Sequence, residues 1–132
     1  MTGVKTCALP IFEAEGPGVS WVGFASDDEL ARLYRGALCV VYPSLYEGFG
    51  IPVLEAMACG APVVTSRGGA TEEVAGGAAV LVDPEDAASI SAGIEEAISR
   101  RDELRAAGLQ RARDYSWERS AAKLVAAYED AA

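Results

Sequence analysis

The chain has 132 residues, enough for a single domain with one buried core. Its 51% hydrophobic and 23% charged residues are typical of a folded domain rather than a disordered chain. The net charge of −9 and the scattered Lys and Arg residues argue against a nucleic-acid partner, and the lack of histidine excludes His-based triads and His-ligated zinc.

The first eleven residues, Met1 to Ile11, resemble the translated read-through of a sequencing-library adapter, whose usual form has Gln where Lys5 stands. A native leader of similar sequence is the alternative. We therefore expect the native sequence to begin near Phe12, and residues 12–132 to be part of a longer protein. No apolar run is long enough to span a bilayer, and the three cysteines form no C-x-x-C pair, so we expect a cytoplasmic protein with reduced thiols.

After this segment, apolar runs alternate with helical patterns. Val19 to Phe24 is predicted to be a strand, and Ser26 with Glu29 forms a capping-box pattern at the start of a helix. Leu38 to Tyr42 is a continuous apolar run of strand length that ends at Pro43. Such a run is typical of a parallel strand covered on both faces.

The alternation continues with a helix from Ile51 to Cys59, a strand from Ala61 to Thr65, a short helix from Thr71 to Ala75 and a strand from Ala79 to Val82. Pro52 lies in the first turn of the longer helix, where its missing N–H costs nothing. Strands that alternate with helices predict an α/β fold, with a Rossmann-like parallel sheet and flanking helices.

Only helices are predicted from Asp86 onward, and Ser116 is a candidate N-cap for the last one. Its apolar stripe is predicted to face inward; the stripe consists of Ala121, Leu124, Val125 and Tyr128. We find no linker, so residues 12–132 are predicted to form one compact unit.

The segment from Glu47 to Gly60 carries the chemistry. Gly48 and Gly50 let the backbone approach a ligand, and they precede a helix N-terminus, where free N–H groups favour an anion such as a diphosphate. Glu47 and Glu55 could accept hydrogen bonds from the vicinal hydroxyls of a ribose or a hexose. Alternatively, Glu47 is a loop acid and Glu55 a helix-stabilising acid of the first turn, and spacing alone leaves both interpretations open.

This stretch resembles the E-x7-E signature of the retaining glycosyltransferase family 4 group, in its form E-G-F-G-x-P-x-L-E-A-M-A-x-G-x-P-V-V. The resemblance covers Val19 to Tyr128, and its outer matches are Trp21-Val22-Gly23-Phe24, Asp28-Glu29-Leu30, Tyr42-Pro43-Ser44, Leu81-Val82-Asp83-Pro84 and Tyr115-Ser116-Trp117-Glu118. It implies the C-terminal donor-binding domain of a GT-B enzyme.

The resemblance also implies roles for individual residues. Glu55 would bind ribose hydroxyls, and Glu47 would be the catalytic residue that contacts the transferred sugar. The backbone of three residues would face the sugar and the diphosphate: Gly48, Phe49 and Gly50. Gly23 and Phe24 would lie near the base.

For the parent enzyme, the resemblance implies a retaining hexosyltransferase that uses a UDP- or GDP-sugar, with no obligatory metal and no cofactor. The acceptor would be a glycan or a lipid held by an N-terminal domain, so glycan or glycolipid biosynthesis is the expected role. Peripheral attachment of the full enzyme to a membrane stays open.

The sequence departs from the family where the donor diphosphate is neutralised. Family members carry two earlier strands and an Arg/Lys pair, whereas Arg67 is the nearby basic candidate here, and Arg32 and Arg35 are more simply the solvated face of a helix. With the usual strand order, Val19 to Phe24 would lie apart from the later strands and leave open sheet edges. We therefore expect weak or no donor binding, and no turnover, by this chain alone.

We considered two other functions for the chain. A nicotinamide-binding domain would need a G-x-G-x-x-G turn, and neither Gly48-Phe49-Gly50 nor Gly76-Gly77 extends to that pattern. The second is a non-catalytic donor-domain remnant or protein-interaction module, with residues 86–132 as a docking surface. Replacing Glu55 by Gln would abolish donor binding in an enzyme and leave a docking module unchanged.

Overall fold

A computed structural model of the chain describes residues 17–20 and 22–131. The predictions for residues 1–11, for a native start near Phe12 and for Trp21 lie outside these ranges. The described helices and strands, in chain order, are α1 (Asp27–Gly36), β1 (Val40–Tyr42), α2 (Ile51–Ala58), β2 (Val63–Ser66), α3 (Gly69–Ala75), β3 (Val80–Val82), α4 (Ala87–Ser99), α5 (Arg101–Ala112) and α6 (Trp117–Asp130).

The three strands form a parallel sheet in the order β1-β2-β3. Val41 pairs with Val64 across the first ladder, and Thr65 pairs with Leu81 across the second. Helices α2 and α3 make the two crossovers, as parallel neighbours require. The predicted α/β fold, with a parallel sheet and flanking helices, is confirmed.

The core lies on both faces of β2, because successive side chains of a strand point to opposite faces. Val63 packs in a cluster with Val53 and Met57 of α2, whereas Val64 packs with Val80 and Val82 of β3 and with residues of α4 and α5. All four residues of β2 are buried. Because both faces of the strand are covered, its sequence does not alternate between apolar and polar residues.

Local sequence signals place the helix ends correctly. A capping box forms at the start of α1, in which the backbone N–H of Ser26 donates to the Glu29 carboxylate at 2.9 Å. The Oγ of Ser26 also donates to this carboxylate, at 2.7 Å. Pro52 lies in the first turn of α2. Ser116 caps α6, because its Oγ accepts the N–H of Arg119 at 3.2 Å.

The predicted strand from Val19 to Phe24 is wrong for the residues that the structure describes there. They form no strand, and Val22 and Phe24 are 64% and 97% exposed. A strand needs a neighbour for its ladder, and the described partner of β1 is β2 alone. The apolar composition of the run indicated a strand but could not supply that neighbour.

The predicted burial of the α6 stripe is also wrong. The helix forms, yet it has no buried residue, and Leu124, Val125 and Tyr128 are 57%, 54% and 70% exposed. Within residues 17–20 and 22–131, no element packs over this face. None of the helices in those ranges is both long enough and apolar enough to cross a bilayer.

Candidate functional site

The candidate site lies at the carboxyl end of the sheet, in the loop that joins β1 to α2. Two side chains of β2 hold the start of this loop. Thr65 Oγ1 donates to the carbonyl of Tyr42 at 2.9 Å, and Ser66 Oγ donates to the carbonyl of Ser44 at 2.5 Å. Both donors are buried, at 0% and 3% exposure, so the loop leaves the sheet along a fixed path.

Gly50 is required at the end of this loop for two reasons. Its φ of 93° lies in the left-handed region, which side chains disfavour. A Cβ at this position would also lie 3.1 Å from Cγ2 of Thr71 in α3. Gly48 differs, because it has no positive φ and open space surrounds its missing side chain. Gly50 therefore shapes the turn, and Gly48 leaves the backbone open to a ligand.

The first turn of α2 is open to an anion. Gly50 is its N-cap and offers no side-chain cap, and the turn contains no acidic residue. Pro52 has no N–H and the N–H of Val53 donates to the carbonyl of Gly50 at 3.0 Å, so among the first three helical residues the free donor is the N–H of Ile51. Ile51, the first helical residue, is 50% exposed. The alternative interpretation of Glu55 as a first-turn acid is wrong, because the helix begins at Ile51 and Glu55 lies in its second turn.

The carboxylate of Glu47 is held by two hydroxyl groups. The phenol of Tyr42 donates to its Oε1, and Ser44 Oγ donates to the same oxygen at 3.1 Å. The hydrogen bond to Glu47, and then burial, raise the pKa of Tyr42 to about 12, because both favour the neutral phenol. Glu47 is half-buried, at the point where the loop turns toward α2.

Glu55 faces a separate part of the surface. Its carboxylate is exposed and lies near Tyr34 of α1, whose pKa is raised by burial and then by the negative charge of Glu55. Glu55 and Phe49 line a cavity of about 520 Å³, together with Tyr115 and Trp117. Glu47 does not line this cavity, so the two glutamates that the motif pairs have different surroundings.

Sequence reasoning missed Arg111. Its Nε donates to the carbonyl of Val74 at 2.9 Å, and its Nη2 donates to the carbonyl of Glu73 at 2.8 Å and to the Tyr115 hydroxyl at 2.7 Å. The guanidinium carbon lies 4.9 Å from the centroid of the Tyr115 ring. That ring meets Phe49 edge-on, with 5.8 Å between centroids. Arg111 thus joins the end of α3 to the aromatic wall beside Glu55.

The structure does not bring all the predicted residues together. Gly23 has a φ of 64°, and Phe24 lines a different cavity of about 860 Å³ beside α1. The N–H of Arg67 donates to the carbonyl of Val82 at 2.8 Å, at the carboxyl end of β2, and its side chain is exposed. Over the described ranges, no three His, Cys, Asp or Glu residues converge as ligands of a metal ion.

Comparison with known proteins gives consistent matches. Residues 13–115 match the family model described as Glycosyl transferases group 1. The chain is 42% identical over 114 residues to O-antigen chain mannosyltransferase B from Escherichia coli, covering 84% of this chain and 30% of that protein. It is 45% identical over 105 residues to D-inositol 3-phosphate glycosyltransferase from Geodermatophilus obscurus, covering 78% of this chain and 23% of that protein.

Among solved structures, sucrose-phosphate synthase from Thermosynechococcus elongatus matches with a TM-score of 0.74 and 31% sequence identity. The match covers 84% of this chain and 29% of that one, and it supports the predicted GT-B type of α/β fold. The chain spans less than a third of the length of each of these relatives.

Proposed function

The chain belongs to the glycosyl transferases group 1 family, and from this membership we propose that it forms part of the nucleotide-sugar site of a retaining hexosyltransferase. The observation that carries the proposal is the turn from Glu47 to Gly50. It places a held carboxylate, an open backbone at Gly48 and the uncapped N-terminus of α2 next to one another along the chain. A donor sugar with a diphosphate needs partners of these kinds.

In the proposed reaction, the bond between the anomeric carbon and the diphosphate oxygen breaks, and a bond to an acceptor hydroxyl oxygen forms with the anomeric configuration retained. The proton of the acceptor hydroxyl passes to the departing diphosphate. The residues of this chain bind and orient the donor. The free N–H of Ile51 and the dipole of α2 stabilise the negative charge on the departing diphosphate. Glu47 accepts a hydrogen bond from a hydroxyl of the transferred sugar, and Glu55 accepts hydrogen bonds from the ribose hydroxyls.

The donor of the proposed enzyme is a UDP- or GDP-hexose. Two relatives, named for transfer to an O-antigen chain and to inositol 3-phosphate, support an acceptor that is a glycan or a small polyol. Arg67 directly follows β2, at the same edge of the sheet as the turn, and this position makes it our candidate partner for the diphosphate.

A chimera tests the proposal, since the relatives are much longer than this chain. The aligned 114-residue segment replaces its counterpart in the Escherichia coli O-antigen chain mannosyltransferase B. We expect mannosyl transfer by the chimera and a product whose anomeric configuration, read by NMR, equals that of the donor. We expect Glu47→Gln and Glu55→Gln each to reduce kcat/KM by about 100-fold or more, because each removes a charged hydrogen-bond acceptor.

The matched control is Glu72→Gln. This glutamate lies on α3 and accepts a hydrogen bond from the N–H of Gly68. Its substitution therefore removes a charge from the same edge of the sheet without changing the turn from Glu47 to Gly50. Its kcat/KM should stay within about twofold of the unsubstituted chimera. A chimera that is monomeric and folded by circular dichroism, yet inactive, contradicts the proposal. Activity that survives both glutamate substitutions contradicts the assigned roles.

The second candidate is a non-catalytic interaction module, which the exposed apolar stripe of α6 favours. It predicts that Glu55→Gln is silent in every assay, whereas Leu124→Asp on α6 abolishes the association of this chain with a partner. The chimera separates the two candidates, because a docking module supplies no turnover.

A further inference from the structure

We propose that Tyr42 and Ser44 are positioning residues for Glu47: they hold Oε1 of its carboxylate, so that Oε2 is left to accept a hydroxyl of the donor sugar. The inference deepens the proposed function and rests on it. It assigns a role to two hydroxyl groups that lie next to the glycine turn and not within it.

The geometry of the three side chains carries the inference. Both hydroxyls donate to the same oxygen, Oε1 of Glu47. Among the described residues, no hydrogen bond reaches Oε2. An ionised carboxylate can accept about four hydrogen bonds, so one oxygen is engaged by the protein and the other keeps its capacity.

Ser44 has a single proton and two acceptors within reach. Its Oγ lies 3.1 Å from Oε1 of Glu47 and 3.2 Å from the carbonyl of Tyr46. The carboxylate is the stronger acceptor, because hydrogen bonds to an ionised group are about twice as strong as neutral ones. The proton of Ser44 therefore belongs to Glu47 whenever that carboxylate is ionised.

The two positioning residues are themselves held by the sheet. The carbonyl of Tyr42 accepts from Thr65, and the carbonyl of Ser44 accepts from Ser66, both of which are buried on β2. Pro43 lies between them and fixes its own φ. A rigid connection thus runs from the central strand through Tyr42 and Ser44 to the Glu47 carboxylate.

This connection matters because Glu47 lies in a loop. A free glutamate side chain has three rotatable bonds, and ordering it on donor binding reduces affinity. When the two hydroxyls order the glutamate side chain before the donor binds, the entropy of ordering is lost on folding and does not reduce the affinity for the donor. The phenol suits the task, because its ordinary pKa of 10.0 already keeps it protonated and donating at neutral pH, and the hydrogen bond to Glu47 raises this pKa to about 12.

The first experiment uses the 132-residue chain without any donor. Side-chain J-couplings of Glu47 are measured by NMR in the unsubstituted chain, in the double variant Tyr42→Phe/Ser44→Ala and in Tyr46→Phe. Tyr46 lies in the same loop and is 93% exposed, so its hydroxyl is the matched control. We expect a single rotamer of Glu47 in the unsubstituted chain and in Tyr46→Phe, and rotamer averaging in the double variant.

A single rotamer that persists in the double variant overturns the inference, and so does averaging in the unsubstituted chain. Loss of the fold is checked through the amide resonances of β2 and β3. With Tyr42 retained, we expect Ser44→Ala to show rotamer averaging, and Ser44→Thr, which keeps a hydroxyl at the same position, to show a single rotamer. A purely structural role of Ser44 predicts that Ser44→Ala keeps the single rotamer of the unsubstituted chain.

The second experiment measures donor kinetics in the chimera. We expect the double variant to lower kcat/KM for the donor by about tenfold, with Tyr46→Phe unchanged, because the carboxylate is still present and only its order is lost. Unchanged kcat/KM in an active chimera overturns the inference and leaves the proposed function standing. An inactive chimera overturns the proposed function, and the J-couplings then decide the positioning role by themselves.

Discussion

Two groups of helices differ in burial although the helices of both groups carry an apolar face. Helices α2 to α5 each contribute buried residues to the two clusters on either side of the sheet. Helices α1 and α6 are at least as amphipathic in sequence, yet neither has a buried residue. The difference is clearest between two leucines: Leu104 of α5 is 1% exposed, and Leu124 of α6 is 57% exposed.

This difference separates two things that apolar periodicity is often assumed to report together. A 3.6-residue period indicates that a segment can form a helix with one apolar face. It carries no information on which element covers that face. Burial depends on contacts distant in sequence, and within the described ranges no residue of the α6 stripe is buried.

The strongest way to test this contrast is to remove the same side chain from both regions. We expect Leu104→Ala to lower the free energy of unfolding by about 2–5 kcal/mol, because it loses apolar burial and leaves a cavity. Leu124→Ala should change it by less than about 0.5 kcal/mol, because the side chain is mostly in water already. Urea unfolding followed by circular dichroism measures both. Equal losses would show that α6 is covered in solution.

A second test adds a methyl group instead of removing one. Gly93 of α4 lies against β3, and a Cβ there would overlap Cγ1 of Val82 and lie 3.3 Å from Cγ1 of Val64. We expect Gly93→Ala to cost about 3 kcal/mol through overpacking. Gly36→Ala, at the end of α1, meets open space and should stabilise the protein by about 0.5 kcal/mol. Thermal unfolding of the two variants measures both changes in stability. No loss of stability in Gly93→Ala would contradict the packing of α4 on the sheet.

The features that sequence predicted correctly are those with local causes. The capping box of Ser26 and Glu29, the N-cap at Ser116 and the first-turn position of Pro52 each depend on neighbours within four residues. The glycine turn was also predicted from its local sequence, but the sequence did not distinguish its two glycines: Gly50 has a positive φ and Gly48 does not. The alternation of elements was enough to predict the parallel sheet.

The features that sequence missed have distant causes. The run from Val19 to Phe24 has strand composition but no described neighbour to pair with. Arg111 donates to carbonyls 37 and 38 residues away, and no periodicity connects it to them. Likewise, Tyr42 and Glu47 are close in sequence, yet their hydrogen bond depends on the strand end and loop path that β2 imposes.

Arg111 offers a test of such a distant contact. We expect Arg111→Met to lower the free energy of unfolding by about 2 kcal/mol, because it leaves the carbonyls of Glu73 and Val74 at the end of α3 without their donors. Arg113→Met, two residues along the chain, removes an exposed arginine and should change it by less than about 0.5 kcal/mol. Urea titrations compare the two. An equal loss of stability in both variants would contradict a stabilising role for the hydrogen bonds from Arg111 of α5 to the end of α3.

The smallest expected effect concerns the pH dependence that Tyr42 contributes. Its pKa is about 12 in the folded chain, above the ordinary value of 10.0, chiefly because of the hydrogen bond to Glu47. A pKa that folding raises contributes stability that is fully present below pH 10 and is lost as the pH rises toward 12, since the unfolded chain then releases the proton first. The unfolding free energy of the unsubstituted chain should therefore fall more steeply in this alkaline range than that of Tyr42→Phe.

Glu47→Gln separates the cause of this slope from the burial of Tyr42. The amide removes the negative charge and weakens the hydrogen bond, so the difference in slope from Tyr42→Phe should shrink while the residue stays in place. Urea titrations at a series of pH values supply the three slopes, and the other titrating groups cancel because all three chains share them. Parallel slopes would show that the hydrogen bond between Tyr42 and Glu47 contributes nothing to stability in solution. The end of β1 would then contribute as little to the free energy of unfolding as we expect of the exposed face of α6.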